Sequence, residues 1–347
     1  MSAERFRPSA GLACAFLGLV AFAPVAEGRP LFSQAQTQPP AAANPPAPGQ
    51  SSAEKLFQSG VAALKANNYP AAEETFRQCR ELEPKNIRCL TGMVETYMAR
   101  RMYDLAIHLL ENESAADPAN RALAVALGDI YVRTEKWDQA VSQFQKLLDA
   151  TDKQTKAAGE LYLRIGETYR RKGDLPSAIS ALKSARLTLP DDERVLGTLA
   201  MTLEAASSWE AQQAYEDALR VAPNNAILLN NLAFSLAEHG GDLDRALSLA
   251  RQAQKSAPTV SEFADTIGWI YLKKGMAYEA RAAFAPLVQK QPENAGFRGH
   301  LATALEWRNE TSTALLTLAK ALRQEPTAAN QRLVLELLKS SGLPVSQ

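Results

Sequence analysis

The sequence is poor in the residues from which most catalytic and metal sites are built. Its 347 residues include only three His and three Cys. None of the His has a second His, a Cys or a carboxylate at a spacing typical of a metal or catalytic site. Glycine-rich phosphate loops, paired-cysteine zinc motifs and a serine nucleophile elbow are also missing from the sequence. We therefore expect a protein that is not an enzyme, with no cofactor, no metal and no small-molecule substrate.

The sequence also lacks a charge bias and has few aromatic residues. Its 38 Lys and Arg balance 38 Asp and Glu, so the formal net charge is zero and favours neither nucleic acid nor an anionic membrane. Aromatic residues make up 7% of the chain, whereas hydrophobic residues make up 46% and alanine recurs throughout. This composition favours close-packed helices over sheets.

The N-terminal residues have the layout of a secretory signal peptide. Arg5 and Arg7 precede an apolar run, 12–23, which small residues at cleavage-site spacing follow. The run is shorter than the roughly 20 residues that a membrane-spanning helix needs. We expect residues 1–28 to be a signal peptide and the protein to be periplasmic or secreted. The alternative is an inner-membrane anchor formed by an uncleaved N-terminal segment, which would be the protein's only membrane contact.

Residues 29–52 have the composition of a disordered linker rich in Pro, Ala and Gln. From Pro30 to Ser52 the chain has no charged residue and six prolines. Such a segment buries too little apolar surface to offset its ordering entropy, and its prolines favour extended conformers. We interpret it as a spacer, with a proline-motif ligand for a partner protein as the alternative.

The rest of the chain repeats with a period near 34 residues. Prolines close successive apolar helical stretches, and Asp152 stands where one more proline would fall. The spacings are 34, 34, 38, 33, 35, 34 and 34 for the series Pro84, Pro118, Asp152, Pro190, Pro223, Pro258, Pro292 and Pro326. Two amphipathic helices recurring at this period indicate a helix–turn–helix solenoid.

The order of small and large residues in each unit resembles the tetratricopeptide repeat family. In the fourth unit the matching residues are Tyr162, Ile165, Gly166, Tyr169, Gly173, Ala178, Leu182, Ala185 and Pro190. The resemblance covers residues 53–326 and implies an all-α fold, a right-handed superhelical solenoid. We expect eight helix–turn–helix units over 53–328, with an insertion near 151–156 in the third. A C-terminal capping helix, 329–342, and a tail, 343–347, would follow.

Four glycines recur where the first helix of a unit must approach the second too closely for a side chain: Gly60, Gly128, Gly166 and Gly268. In proteins that this chain resembles, a second stripe of each first helix lines a concave groove. In the last four units this stripe predicts a peptide-binding groove that contains Met201, Asn230, Asn231, Phe234, Asp265, Trp269, Leu272 and Trp307. Rings beside amides and carboxylates suit an extended peptide or an amphipathic helix. The alternative is that Trp269 and Phe234 only pack against neighbouring helices.

Two cysteines remain once a signal peptide carrying Cys14 is removed. Cys79 and Cys89 lie five residues on either side of Pro84, at positions that face each other in an antiparallel helical hairpin. In an oxidising compartment they are candidates for a disulfide. The alternative is two buried free thiols.

Units six and seven look like repeat pairs that are common in exported bacterial tetratricopeptide proteins. That resemblance implies a non-catalytic scaffold or adaptor of the bacterial cell envelope, which binds peptide or helix segments of protein partners. The alternative function is a periplasmic assembly or secretion chaperone that holds unfolded clients, with a link to exopolysaccharide or protein export.

Overall fold

A computed structural model describes residues 52–307 and residue 317 of the chain. Residues 52–307 form fifteen α-helices and no strand. The helices are α1 (Ser52–Lys65), α2 (Tyr69–Leu82), α3 (Ile87–Ala99), α4 (Tyr103–Ala116), α5 (Arg121–Arg133), α6 (Trp137–Asp149), α7 (Lys156–Lys172), α8 (Leu175–Thr188), α9 (Glu193–Ala205), α10 (Ala211–Val221), α11 (Ala226–Glu238), α12 (Leu243–Ser256), α13 (Ser261–Lys273), α14 (Ala277–Lys290) and α15 (Ala295–Trp307).

The helices α1 to α14 pair into seven successive helix–turn–helix units, and α15 begins the eighth. The predicted all-helical repeat fold is therefore confirmed. The expected insertion in the third unit becomes a turn at 150–155 and a longer helix, since α7 has 17 residues. The predicted signal peptide, the linker up to residue 51, the rest of the eighth unit except residue 317, the capping helix and the tail lie outside the described residues.

The described residues fall into two compact bodies. The N-terminal body comprises residues 52–190 and helices α1 to α8. The C-terminal body comprises residues 191–307 and helices α9 to α15. In each body the apolar core lies between the two helices of a unit and the first helix of the next unit. Each fully buried Leu or Phe side chain stabilises such a core by about 1.5–3 kcal/mol relative to an exposed one.

Each of the seven turns inside a unit contains one residue with a positive φ angle. Three of these seven residues are glycine and four are not. They are Asn67, Arg101, Glu135, Gly173, Ser207, Gly240 and Gly275. A single left-handed residue ends the first helix and reverses the chain. The second helix then begins from a side-chain cap at residues such as Asn68, Asp174 and Asp242, whose oxygens accept backbone N–H bonds.

Glycine and a buried ring meet at the centre of several units. A Cβ atom added to Gly128 would lie 2.3 Å from Cε1 of Phe144, and one added to Gly268 would lie 2.5 Å from Cε1 of Phe284. Both rings are fully buried. The predicted close approach at these glycines is confirmed, because no larger residue fits without moving the ring.

The fifth unit has one residue fewer between the small residues of its two helices, yet a longer turn. Ala211 follows Ala200 by eleven residues, whereas twelve residues separate Gly128 from Ala140. The turn 206–210 has five residues where the turn 134–136 has three, so α10 begins late, and Trp209 lies in this turn with 89% of its surface exposed.

Candidate binding site in the C-terminal body

The predicted groove residues lie on the first helices of successive units. Met201 lies on α9, Phe234 on α11 and Leu272 on α13, and the side chain of Trp307 on α15 lies outside the described part of the chain. The prediction placed these side chains along a concave groove. In the structure six of them are 5% exposed or less, namely Met201, Asn230, Asn231, Phe234, Asp265 and Leu272.

Trp269 is half-buried and packs against its neighbours. Its ring centroid lies 4.9 Å from that of His300, and its indole N–H donates to the carboxylate of Glu238. The ammonium group of Lys273 lies 5.2 Å from the centroid of the same ring and 2.9 Å from Glu238 Oε1. These contacts fit the alternative in which Trp269 packs against neighbouring helices, because its ring and its N–H group both contact residues of the C-terminal body.

Asp265 is also engaged by a neighbouring helix. Its Oδ1 atom lies 2.8 Å from Nδ1 of His300, and both side chains are almost fully buried. The His300 ring lies between the rings of Trp269 and Phe284, and its centroid is 5.4 Å from that of the Phe284 ring. This group therefore fastens α13 to α15 and fixes the orientation of the imidazole.

A second set of polar side chains lies where α9, α10 and α11 meet. We call Glu204, Tyr215, Asn230, Asn231 and Ser235 the polar cluster. Every member is at most 5% exposed. Three of its oxygens have no hydrogen-bond partner in the described part of the chain, namely Glu204 Oε2, Asn230 Oδ1 and Ser235 Oγ. Leaving a buried polar atom unpaired costs about 1–3 kcal/mol, and more when it is charged.

Glu204 is the charged member of the polar cluster. Its other carboxylate oxygen, Oε1, lies 2.9 Å from Nε2 of His239. The carboxylate side chain is only 3% exposed, whereas that of His239 is 43% exposed. The pair thus joins α9 to the end of α11, with the imidazole at the solvent edge.

Tyr215 takes the place that Phe76, Phe144 and Phe284 occupy in other units, and its ring is equally buried. Burial raises the pKa of the Tyr215 hydroxyl well above its ordinary value, and the charge of Glu204 raises this pKa further. The hydrogen bond with the side chain of Asn231 acts to lower it. The hydroxyl therefore stays protonated in this core at all ordinary pH values.

The groove prediction found only part of this cluster. Asn230 and Asn231 were identified from the stripe, while Glu204, Tyr215 and Ser235 were missed. The available signal was a tyrosine at a position that is Phe in other units, because a buried hydroxyl group usually has a hydrogen-bond partner nearby.

The first helices of the N-terminal body carry a different kind of contact. Arg88 pairs with Glu54 at 2.6 Å, Arg133 pairs with Glu95 at 2.8 Å, and Arg164 pairs with Asp129 at 3.2 Å. We call these three pairs the arginine ladder. Burial raises the pKa of the Asp129 carboxyl, although Arg164 and Arg133 both act to lower it. These charged side chains are thus paired with each other inside the N-terminal body and are less available to a ligand.

Cys79 on α2 and Cys89 on α3 are both fully buried. The structure places their sulfur atoms at bonding distance and their Cα atoms 5.8 Å apart. This separation lies within the usual range for a disulfide.

The described residues contain neither a metal-binding group of side chains nor a helix that could span a membrane. Among residues 52–307 and 317, no three His, Cys, Asp or Glu side chains are grouped so that they could hold a metal ion. Across the same part of the chain, no helix has both the length and the apolar character required to span a bilayer.

Comparison with known proteins identifies the repeats. Residues 91–154, 125–193 and 204–261 match the tetratricopeptide repeat family. A TPR repeat-containing protein of Pseudomonas aeruginosa is 24% identical over 188 residues, which are 53% of this chain and 31% of that protein. The BBSome complex member BBS4 homolog of Drosophila melanogaster is 22% identical over 281 residues, which are 77% of this chain and 56% of that protein. The chain thus spans at most 56% of the length of these curated relatives.

A solved structure shows the same fold. The APC/C hetero-tetramer Cut9–Hcn1 contains a chain that superposes with a TM-score of 0.55 and 16% sequence identity. The match covers 83% of this chain and 56% of that one. The family match, the repeated helix pairs and the glycine–ring contacts together show that the chain is built of tetratricopeptide repeats over residues 91–193 and 204–261.

Proposed function

We propose that this protein is a non-catalytic interaction scaffold whose C-terminal body binds an extended polypeptide segment of a partner along α9, α11, α13 and α15. The observation that carries the proposal is the side chain of Asn230. It is fully buried, its Oδ1 atom has no partner in the described part of the chain, and its Nδ2 atom lies 3.5 Å from Asn231 Oδ1, at the limit of a hydrogen bond. A carboxamide can pair with both the donor and the acceptor of a peptide group.

The apolar side chains of the same stripe support the same proposal. Met201, Phe234 and Leu272 are apolar, occupy the same stripe of three successive first helices and are buried. Apolar and aromatic side chains beside a few polar groups are the usual composition of a peptide-binding hot spot. The arginine ladder makes the N-terminal body a weaker candidate, because its charged groups already pair with each other.

We place this activity in the bacterial cell envelope. The signal-peptide pattern of residues 1–28 supports export, and the apposed sulfurs of Cys79 and Cys89 suit an oxidising compartment. The BBS4 homolog, which aligns with 77% of this chain, is named as a complex member, in keeping with a role in protein assembly.

The variant Asn230→Leu tests the proposal. We expect its unfolding midpoint to rise, because an apolar group of similar size replaces an unpaired buried amide. We also expect it to bind peptides at least tenfold more weakly, because the ligand loses its amide partner. The ligands would be 12-residue peptides selected by phage display on the unsubstituted full chain, and their affinities would be measured by fluorescence anisotropy.

The matched control is Asn112→Leu, which makes the same change at an exposed position on α4. It should leave peptide affinity unchanged. Full peptide affinity of Asn230→Leu, or failure to select any peptide, would contradict the proposal. Selection of one sequence family supports a scaffold, whereas many unrelated weak peptides would indicate the chaperone instead.

A further inference from the structure

The three unpaired oxygens of the polar cluster share one chemical property. Each of them can accept a hydrogen bond, and only the hydroxyl of Ser235 can also donate one. Glu204 adds a carboxylate whose Oε2 atom is buried and receives no donor in the described part of the chain. The cluster is therefore built to receive a group with several donors.

Charge makes the requirement more specific. A buried carboxylate is costly unless a cation or several donors pair with it. Glu238, which ends α11 one unit after Glu204 near the end of α9, already receives Lys273 Nζ and the Trp269 indole N–H. Glu204 has His239 at one oxygen only.

His239 marks where the polar cluster comes nearest to solvent. Its imidazole side chain is 43% exposed, and its Nε2 atom lies 2.9 Å from Glu204 Oε1. Lys and Arg carry a charged end on a long, thin side chain, and their terminal nitrogens are donors only.

We propose that the polar cluster is a subsite for a lysine or arginine side chain of the bound polypeptide. The cationic head would donate to Glu204 Oε2 and Asn230 Oδ1, and the hydroxyls of Tyr215 and Ser235 would complete its surroundings. This inference rests on the proposed function, since it names the side chain that the same site selects.

The experiment compares the sequences that different forms of the full chain select from a random 12-residue phage-display library. The forms are the unsubstituted protein, Glu204→Gln and the control Glu216→Gln, whose carboxylate on α10 forms an ion pair with Arg245 outside the cluster. We expect a Lys or Arg fixed at one position in peptides selected by the unsubstituted protein and the control. Glu204→Gln should lose that preference. Circular dichroism and the thermal midpoint verify that each variant folds.

A second measurement leaves the protein unchanged. A selected lysine peptide is compared with the same peptide acetylated at that lysine, which removes the charge. We expect at least tenfold weaker binding of the acetylated form. Equal binding, or peptides selected without a basic residue, would overturn the subsite while the scaffold proposal stands. If no form selects any peptide, both proposals are overturned.

Discussion

Single glycines determine how closely the two helices of a unit pack. At Gly128 and Gly268 the opposing ring occupies the space of the absent side chain. Gly92 extends this rule, because a Cβ atom there would lie 2.3 Å from Cε1 of Phe76, a ring of the preceding unit. The Phe76 ring therefore fills space between its own unit and the next one.

The variant Gly128→Ala should lower the free energy of unfolding by about 1–3 kcal/mol, because overpacking forces Phe144 out of its position. Urea denaturation measures the loss. In a Phe144→Leu background the same glycine change should cost clearly less, since the smaller side chain can yield. Equal costs in both backgrounds would show that the ring contact is not the cause.

Helix caps fix where the second helix of each unit begins. Asp242 is a clear case, since its Oδ1 atom accepts hydrogen bonds from the backbone N–H of Asp244 at 2.9 Å and of Arg245 at 3.1 Å. These bonds satisfy donors that the first turn of α12 would otherwise leave unpaired.

Replacing Asp242 with Ala should lower the free energy of unfolding by about 1 kcal/mol, because the cap acceptor is lost. Asp242→Asn keeps an acceptor oxygen and should stay within a few tenths of the unsubstituted value. Chemical denaturation distinguishes the two variants. Similar losses for Ala and Asn would point to charge rather than capping.

The helices α2 and α3 belong to different units and are tied by Cys79 and Cys89. We predict that these cysteines are bridged in the exported protein. The bridge closes a loop with a sequence separation of 10 residues, so reduction should lower the local stability of α1 to α3 by about 2–3 kcal/mol. Hydrogen exchange with and without reductant measures the change.

The variant in which both Cys79 and Cys89 are Ala is the control for that experiment. Its exchange should not respond to reductant. Mass spectrometry that finds both thiols alkylated without prior reduction would refute the bridge.

The two bodies use different chemistry along their first helices. The N-terminal body joins α1, α3, α5 and α7 through the arginine ladder, whose side chains are partly exposed. The C-terminal body joins its first helices through contacts of His239, Trp269 and His300 with carboxylates. The same repeat thus supports an ionic seam in one body and an acceptor-rich seam in the other.

Salt should therefore act more on the N-terminal body. Raising ionic strength from about 0.1 M to about 1 M shortens the screening length from roughly 10 Å to roughly 3 Å. We expect amide exchange of α3 and α5 to accelerate about twofold, since exposed ion pairs are worth only about 0–1 kcal/mol. Exchange in α11 should change less. An equal response of both bodies would show that the ladder adds nothing to local stability.

The repeat fold was predictable because its signals act over short distances. A proline closes a unit through its own backbone, and Gly128 admits the ring of Phe144 only 16 residues away. The stripe on each first helix was predictable from helical periodicity alone. The exposure of Trp209 was not predicted, since it follows from the late start of α10.

The polar cluster could be identified only from the packed helices of the structure. Glu204, Tyr215 and Asn230 come from three different helices, and no local pattern says that their oxygens meet in a core. The burial of the predicted groove residues was also not predictable, because exposure depends on everything packed around a residue. Periodicity thus specifies which face of a helix turns inward, but the unpaired acceptors on that face arise only where neighbouring units converge.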